Sequence, residues 1–513
     1  MQEPSDPGHA CDLLVVGGGI HGAGIARDAA GRGLSVLLCE QHDLAAHTSS
    51  SSTKLIHGGL RYLEHGEFAL VRKALQERSI LMRAAPHIIR PLRFVMPQLS
   101  KLRPASMIRL GLFLYDHLAR HEMLAPSRHV DLRRHVAGVP LRASMRNGFV
   151  YSDGWVDDAR LVVLTALDAS ERGARIRTRT RLVGAERHGD VWLARLAQPD
   201  GAQAQVRARA LVNASGPWVD AVLKQLRCGS ASGARARIRL VKGSHIVTRR
   251  LFDHDHAYLF QNPDRRIIFA IPYEQDFTLI GTTDIEYHGD PAAVAIEAAE
   301  IDYLCASINR YFRQGIGAAD LCWSYSGVRP LFDDARVADP EALTRDYRLE
   351  LDPEEGAVLL TVVGGKITTY RKLAEQALDI LCRALGERRA PWTADVPLPG
   401  GDIPNADFGA FAADFAQRHR WLDPALAQRY ASTYGTRAEQ VLAGARSPDG
   451  LGRDVAAGLH EAELRYLRDV EWARCAEDVL WRRSKRGLHI APEARAVAGA
   501  AIDAWFAGAG TRS

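Results

Sequence analysis

Gly17, Gly19 and Gly22 stand in the spacing G-x-G-x-x-G, with Gly24 following. In a strand-to-helix turn the first such glycine permits the tight bend and the second lets backbone amides approach a pyrophosphate. The third lets the helix pack on the strand. Glu40 stands where a second strand would end, and a carboxylate there accepts hydrogen bonds from a ribose 2′-OH and repels a 2′-phosphate. A merely structural turn is the bland alternative. The context weighs against it, with a strand before the motif, a helix after it and a carboxylate in place. The motif points to a dinucleotide and does not by itself choose between NAD and FAD.

A second group of polar residues follows: Thr48-Ser49-Ser50-Ser51-Ser52-Thr53-Lys54, then Ile56-His57-Gly58-Gly59-Leu60-Arg61-Tyr62. Alone, the hydroxyl run reads as a solvated loop. Joined to the glycine turn, its hydroxyls and amides suit the solvation of a pyrophosphate.

The elements needed to position these groups are legible around them. Asp12–Val16 is a short apolar run, a helical stretch follows to about Arg32, and Leu34–Cys39 is a second apolar run. This is strand–turn–helix–strand, the opening of a parallel sheet. Glu67 to about Met82 and Arg160–Arg172 read as helices, and Leu211–Ala214 as a strand stopped by Gly216-Pro217. Ile238–Thr248, Arg266–Ile271 and Phe277–Gly281 read as antiparallel strands. Leu359–Val363 is an apolar strand, after which Gly364-Gly365 opens a helix near Thr369. Beyond Pro397–Gly401 the composition turns to Ala, Arg and Leu. There Leu464, Leu467, Val470, Ala473, Ala476 and Leu480 predict one face of a long helix.

A chain of 513 residues is too long for one ordinary core, so two or three domains are expected. Its net charge of +5 suits an anionic substrate or an acidic membrane surface and falls short of a nucleic-acid-binding signature. The seven cysteines form no CxxC pair, which argues for reduced thiols in a cytoplasm and against a disulfide framework or metal site. Residues Met1–Ala10 lack the apolar stretch of a signal peptide. No run of about 18 apolar residues predicts a transmembrane helix, so any membrane contact is expected to be peripheral.

Lys54–Glu64, KLIHGGLRYLE, resembles the FAD-dependent, quinone-linked glycerol-3-phosphate dehydrogenases, and its surroundings resemble the second flavin-contact segment of amino-acid-oxidase-like flavoproteins. Further segments resemble the same family: Tyr151–Arg160, Asn213–Trp218 (NASGPW), Lys242–Val247 (KGSHIV), Gly281–Asp284 (GTTD), Ser326–Pro330 (SGVRP) and Gly364–Lys372. The resemblance spans residues 11 to 400, and the tail more loosely. One departure is His21, where the family commonly has a small polar residue.

The resemblance implies an α/β fold with three parts. A discontinuous Rossmann-like FAD-binding domain would take residues 1–90, 150–235 and 345–395. An antiparallel, amino-acid-oxidase-like substrate domain would take 91–149 and 236–344, and a C-terminal helical domain 396–513. It implies FAD contacts from Gly17, Gly19, Gly22, Glu40, Thr48, Ser49, Ser50, Lys54, His57, Gly58, Gly59, Gly216, Gly365, Lys366 and Thr368. The flavin would be bound without a covalent link, since no His or Cys stands in a recognisable attachment motif. Glycerol 3-phosphate would be held by Arg61, Tyr62, His245, Arg329 and Lys366. Arginine offers bidentate geometry and lysine a point charge to its phosphate dianion. Oxidation of the secondary alcohol requires hydride departure from C2 and loss of the hydroxyl proton. His245 suits the base, Arg329 suits stabilisation of the alkoxide, and the sequence leaves open which handles the proton.

Electrons would pass to a membrane quinone, and a homodimer is compatible with the sequence. An oxidase using molecular oxygen is the first alternative. A flavin-containing RNA-binding protein is a second, disfavoured because the positive charge is spread rather than striped. The expected location is cytoplasmic, attached peripherally to the inner face of the cytoplasmic membrane. The expected membrane segment is 90–120, where Arg90, Arg93, Lys101, Arg103 and Arg109 interleave with Leu92, Phe94, Met96, Met107, Leu110, Leu112 and Phe113.

Overall fold

The computed structural model describes residues 10–98, 104–119, 123–227, 238–264, 266–333, 346–352 and 356–509. The chain opens with β1 (Ala10–Val16), α1 (Ile20–Gly31) and β2 (Val36–Cys39). Then come α2 (Phe68–Ala84), β3 (Ile89–Pro97), α3 (Ala105–His117), β4 (Asn147–Val156) and α4 (Asp158–Glu171). An antiparallel pair, Arg181–His188 and Val191–Ala197, leads into β5 (Gln203–Asn213). β6 (Ile238–Arg249), β7 (Phe277–Gly281) and β8 (Leu321–Phe332) follow, then β9 (Val358–Gly364) and α5 (Tyr370–Ala384). The C-terminal part includes α6 (Glu461–Asp469).

Two sheets carry the site. In the first, β1 pairs in parallel with β2 on one side and β5 on the other, and β9 runs parallel beyond β5. Leu13, Leu14 and Val15 are wholly buried, because a parallel strand covered on both faces reads as a continuous apolar run. α1, α4 and α5 contribute to one core over this sheet. Three distant segments thus converge with the carboxyl ends of β1, β5 and β9 side by side, where open α/β sheets place ligands. In the second sheet β6 is flanked by antiparallel β7 and β8, and β3 pairs antiparallel with β4.

The division expected at residue 150 falls inside β4. That strand pairs along its length in the second sheet and also pairs with Leu55–Ile56, so the hydroxyl-rich loop is tied to the second sheet by its own exit.

The long helix expected between Leu464 and Leu480 is two capped pieces. α6 ends at Asp469, Trp472 turns left-handed at φ 57°, and a π-helical turn covers Asp478–Arg483. Polar groups impose the break. Glu471 is buried to accept a two-pronged contact from Arg160 of α4. Asp478 accepts the backbone N–H of Arg474 at 2.7 Å, capping the next turn. Leu464, Leu467, Ala473, Ala476 and Leu480 are still buried together, so the apolar pattern marks a core face without marking a continuous helix.

Segment 90–120 is also divided. Leu92, Phe94 and Met96 of the interior strand β3, and Leu112 of α3, lie in the core under the second sheet. Arg93 donates to Ala125 O and Ser152 Oγ at 2.9 and 2.8 Å, and Lys101 and Arg103 lie outside the described residues. Among the described residues of this segment, α3 turns an apolar face outward: Met107, Leu110 and Phe113 are 48, 60 and 56% exposed.

His87, between α2 and β3, is packed against the turns at Gly400 and Gly435 of the C-terminal part. Among the described residues neither of its ring nitrogens has a hydrogen-bond partner, and burial, with a smaller push from Arg160, lowers its pKa to about 3. The unfolded chain, with an ordinary value of 6.5, therefore binds this proton more readily. Stability is full above pH 6.5 and is lost as pH falls toward 3, by about 1.4 kcal/mol per pH unit. Denaturant melts at pH 6.5 and 4.5 should show wild type losing about 2–3 kcal/mol more than His87→Phe. Equal losses would contradict this reading.

Candidate active site

Gly17 ends β1 with φ +115° and lies so close to β5 that a Cβ would sit 2.5 Å from Ala214 O. A Cβ on Gly22 would sit 1.9 Å from Gly17 O, so the third glycine of the motif serves helix–strand approach. The N-cap of α1 is Gly19, which has no side chain to cap the helix, and its first turn holds no acid, which leaves its dipole for an external anion. Ser49 Oγ accepts the Ile20 N–H at 3.0 Å, joining the hydroxyl loop to this turn. Glu40 is buried, its oxygens accepting the N–H groups of Gly18 and His42, each at 2.7 Å. Burial raises its carboxyl above the ordinary value while these amides pull the other way.

These elements border a cavity of about 510 Å³. Of the residues expected at the cofactor, Gly17, Gly19, Glu40, Thr48, Ser49, His57, Gly216, Gly365, Lys366 and Thr368 line it, together with Tyr62 and Arg329 from the expected substrate set. Trp218, Gln41, Thr180 and Arg181 line another stretch of its wall. Lys366 Nζ lies 3.6 Å from the centre of the Tyr62 ring. Arg329 pairs with Asp284, and its other Nη donates to Thr282 Oγ1 at 3.4 Å.

Several expected contacts take other positions. Lys54 is fully buried behind the loop, donating to Asp158 at 2.8 Å and to Ser50 O at 3.0 Å, because a lysine sealed from water needs a counter-charge. Ser50 is off the wall, its hydroxyl donating to His47 O at 3.1 Å. Gly58 gives its N–H to Tyr115, and a Cβ there would meet Leu75 at 2.5 Å, while Gly59 backs onto the Tyr62 ring. Arg61 is not on the wall, although it shares the 3-10 turn Leu60–His65 with Tyr62.

His245 is also set back, wholly buried on β6. Its ring stacks on Tyr325 at 4.8 Å, and its Nε2 is 3.0 Å from Thr53 Oγ1. Burial holds its pKa well below the usual histidine value, and the nearby charges of Arg329 and Lys54 push the same way, so the ring is neutral. Thr53, Thr282 and Asp284 are contributors that spacing alone does not single out. The signal available for them is only their place in the runs TSSSST and GTTD.

Fold and cavity define a dinucleotide-binding class of protein. Residues 12–371 match the FAD dependent oxidoreductase family, and residues 391–507 match the C-terminal domain of alpha-glycerophosphate oxidase. The chain is 54% identical to a glycerol-3-phosphate dehydrogenase of Pseudomonas aeruginosa, over 95% of this chain and 94% of that one. It is 50% identical to a D-erythritol 1-phosphate dehydrogenase of Brucella abortus, covering 99% of each. The solved glycerol-3-phosphate dehydrogenase of Bacillus halodurans, complexed with FAD, superposes with a TM-score of 0.78 at 26% identity, covering 98% of this chain and 91% of that one. The chain belongs to the FAD-dependent glycerol-3-phosphate dehydrogenase family, and its cofactor is FAD. The site fits that group: a helix terminus with glycine at its N-cap and no acid in its first turn, a turn too close for any Cβ, and a carboxylate at the cavity wall.

Proposed function

We propose that the protein is an sn-glycerol-3-phosphate:quinone oxidoreductase, producing dihydroxyacetone phosphate. The observation that carries this is that Arg329, Lys366 and Tyr62 line one cavity, with His245 joined to it through Thr53. The names of the relatives support the substrate. Bound flavin supplies the hydride acceptor. Arg329 and Lys366 hold the phosphate dianion, and Tyr62 keeps the Lys366 ammonium in place through its ring face. Arg329 also offers positive charge to the developing alkoxide, its partner Asp284 fixing the guanidinium. His245 is the imidazole placed to take the hydroxyl proton, with Asp284 raising its proton affinity against burial and the charges of Arg329 and Lys54. The Brucella relative supports a second reading in which a four-carbon polyol phosphate is the better substrate.

A quinone is lipid-soluble, and among the described residues no helix is long and apolar enough to cross a membrane. The quinone reading therefore calls for a face that lies on the bilayer. Met107, Leu110 and Phe113, with exposed Arg109 beside them, make α3 that face, seated peripherally on the cytoplasmic membrane. Replacing all three apolar residues by Ser should lower partitioning onto anionic vesicles about tenfold or more. Quinone reduction should fall with it, while turnover with a soluble dye stays at the wild-type rate. Undiminished vesicle binding would place the membrane face elsewhere. Vesicle-bound wild type that reduces oxygen and not quinone would favour an oxidase.

A further inference from the structure

His245 has no direct opening to the cavity, yet the reaction produces a proton inside it. Among the described residues its Nδ1 has no hydrogen-bond partner, so Nε2 carries the ring's one hydrogen bond, to Thr53 Oγ1 at 3.0 Å. Thr53 in turn lines the cavity beside His57, Tyr62 and Arg329.

The loop is anchored on both sides of this residue. Ser52 Oγ donates to Asp158 at 2.7 Å, and Tyr325 OH donates to Ser52 O at 2.8 Å. Lys54 turns left-handed at φ 59°, and its ammonium is pinned by Asp158. A fully buried ion pair in a loop is costly in isolation. Here it fixes the backbone that aims one hydroxyl at the imidazole. The other charges felt by that ring are Arg329 and Asp284 of the second sheet.

We propose that Thr53 is a catalytic relay, passing the substrate's hydroxyl proton to the buried His245. This rests on the substrate reading above. Bound flavin would supply the acceptor for the C2 hydride, and the C2 hydroxyl gives its proton to Thr53 Oγ1. The Thr53 hydroxyl gives its own proton to His245 Nε2. One O–H and one C–H bond of the substrate break, its carbonyl forms, and one N–H bond forms on His245. The threonine is unchanged at the end. A hydroxyl serves here because it donates and accepts at once.

Thr53→Val keeps the shape and removes the relay, and Thr53→Ser keeps the hydroxyl. In anaerobic stopped-flow reduction of the FAD-loaded protein by glycerol 3-phosphate, T53V should lose at least about a hundredfold in limiting rate. Its flavin content should stay at the wild-type value and the folded protein should be retained, and T53S should restore the rate to within about tenfold. Wild type should show a curved proton inventory in mixed H₂O and D₂O, the signature of two protons in flight. The His245 Nε2 resonance in ¹⁵N spectra should shift in T53V and return in T53S, independently of turnover. T53V reduced within twofold of wild type, or a linear inventory, overturns the relay alone. Wild type that glycerol 3-phosphate does not reduce overturns the substrate reading, and the relay with it.

Discussion

Gly22→Val should yield a colourless protein. The new Cβ would lie 1.9 Å from Gly17 O, a backbone atom that cannot rotate away, so α1 must shift off β1. That shift moves the helix terminus and the Ile20 N–H···Ser49 Oγ contact that joins the glycine turn to the hydroxyl loop. Overpacking of this kind costs about 1–3 kcal/mol, and here it falls on the groups proposed to hold the pyrophosphate. Purified variant should carry FAD at less than about a tenth of the wild-type ratio, read from flavin absorbance against protein absorbance. Full occupancy would count against the glycine turn as the cofactor's anchor.

Arg329→Ala should cost about 2–4 kcal/mol in kcat/KM for glycerol 3-phosphate, or about 30- to 700-fold. Two effects add. The substrate loses a guanidinium at its dianion, and Asp284 loses the partner that neutralises it beside the same cavity. Preference for glycerol 3-phosphate over glycerol should shrink in the same variant, since glycerol carries no charge for the arginine to read. An unchanged preference in a folded, flavin-loaded variant would remove Arg329 from the substrate site.

The first sheet was legible because its signals are local. Gly17, Gly19, Gly22 and Glu40 lie within one strand–helix–strand unit, and each residue's role follows from spacing. The amino-acid-oxidase-like frame and its helical tail came from the family resemblance, and both hold. Depth was harder to read. Lys54 and His245 sit in segments that border the cavity, yet one pairs with Asp158 and the other lies behind Thr53. Which side of a loop a residue faces depends on strands far away in the chain. The tail failed differently: periodic leucines and alanines mark a buried face, whereas the break after α6 is set by the long-range pair of Glu471 with Arg160. Segment 90–120 mixed an interior strand with an exposed helix, and composition alone gave both the same appearance.

The most direct test of the account is anaerobic titration of the purified, flavin-loaded protein with glycerol 3-phosphate, followed at the oxidised-flavin absorbance, with D-erythritol 1-phosphate and glycerol in parallel. The account predicts that glycerol 3-phosphate bleaches the flavin, dihydroxyacetone phosphate appears in equal amount, and glycerol has no effect at the same concentrations. A flavin that dithionite reduces and glycerol 3-phosphate leaves yellow would contradict it.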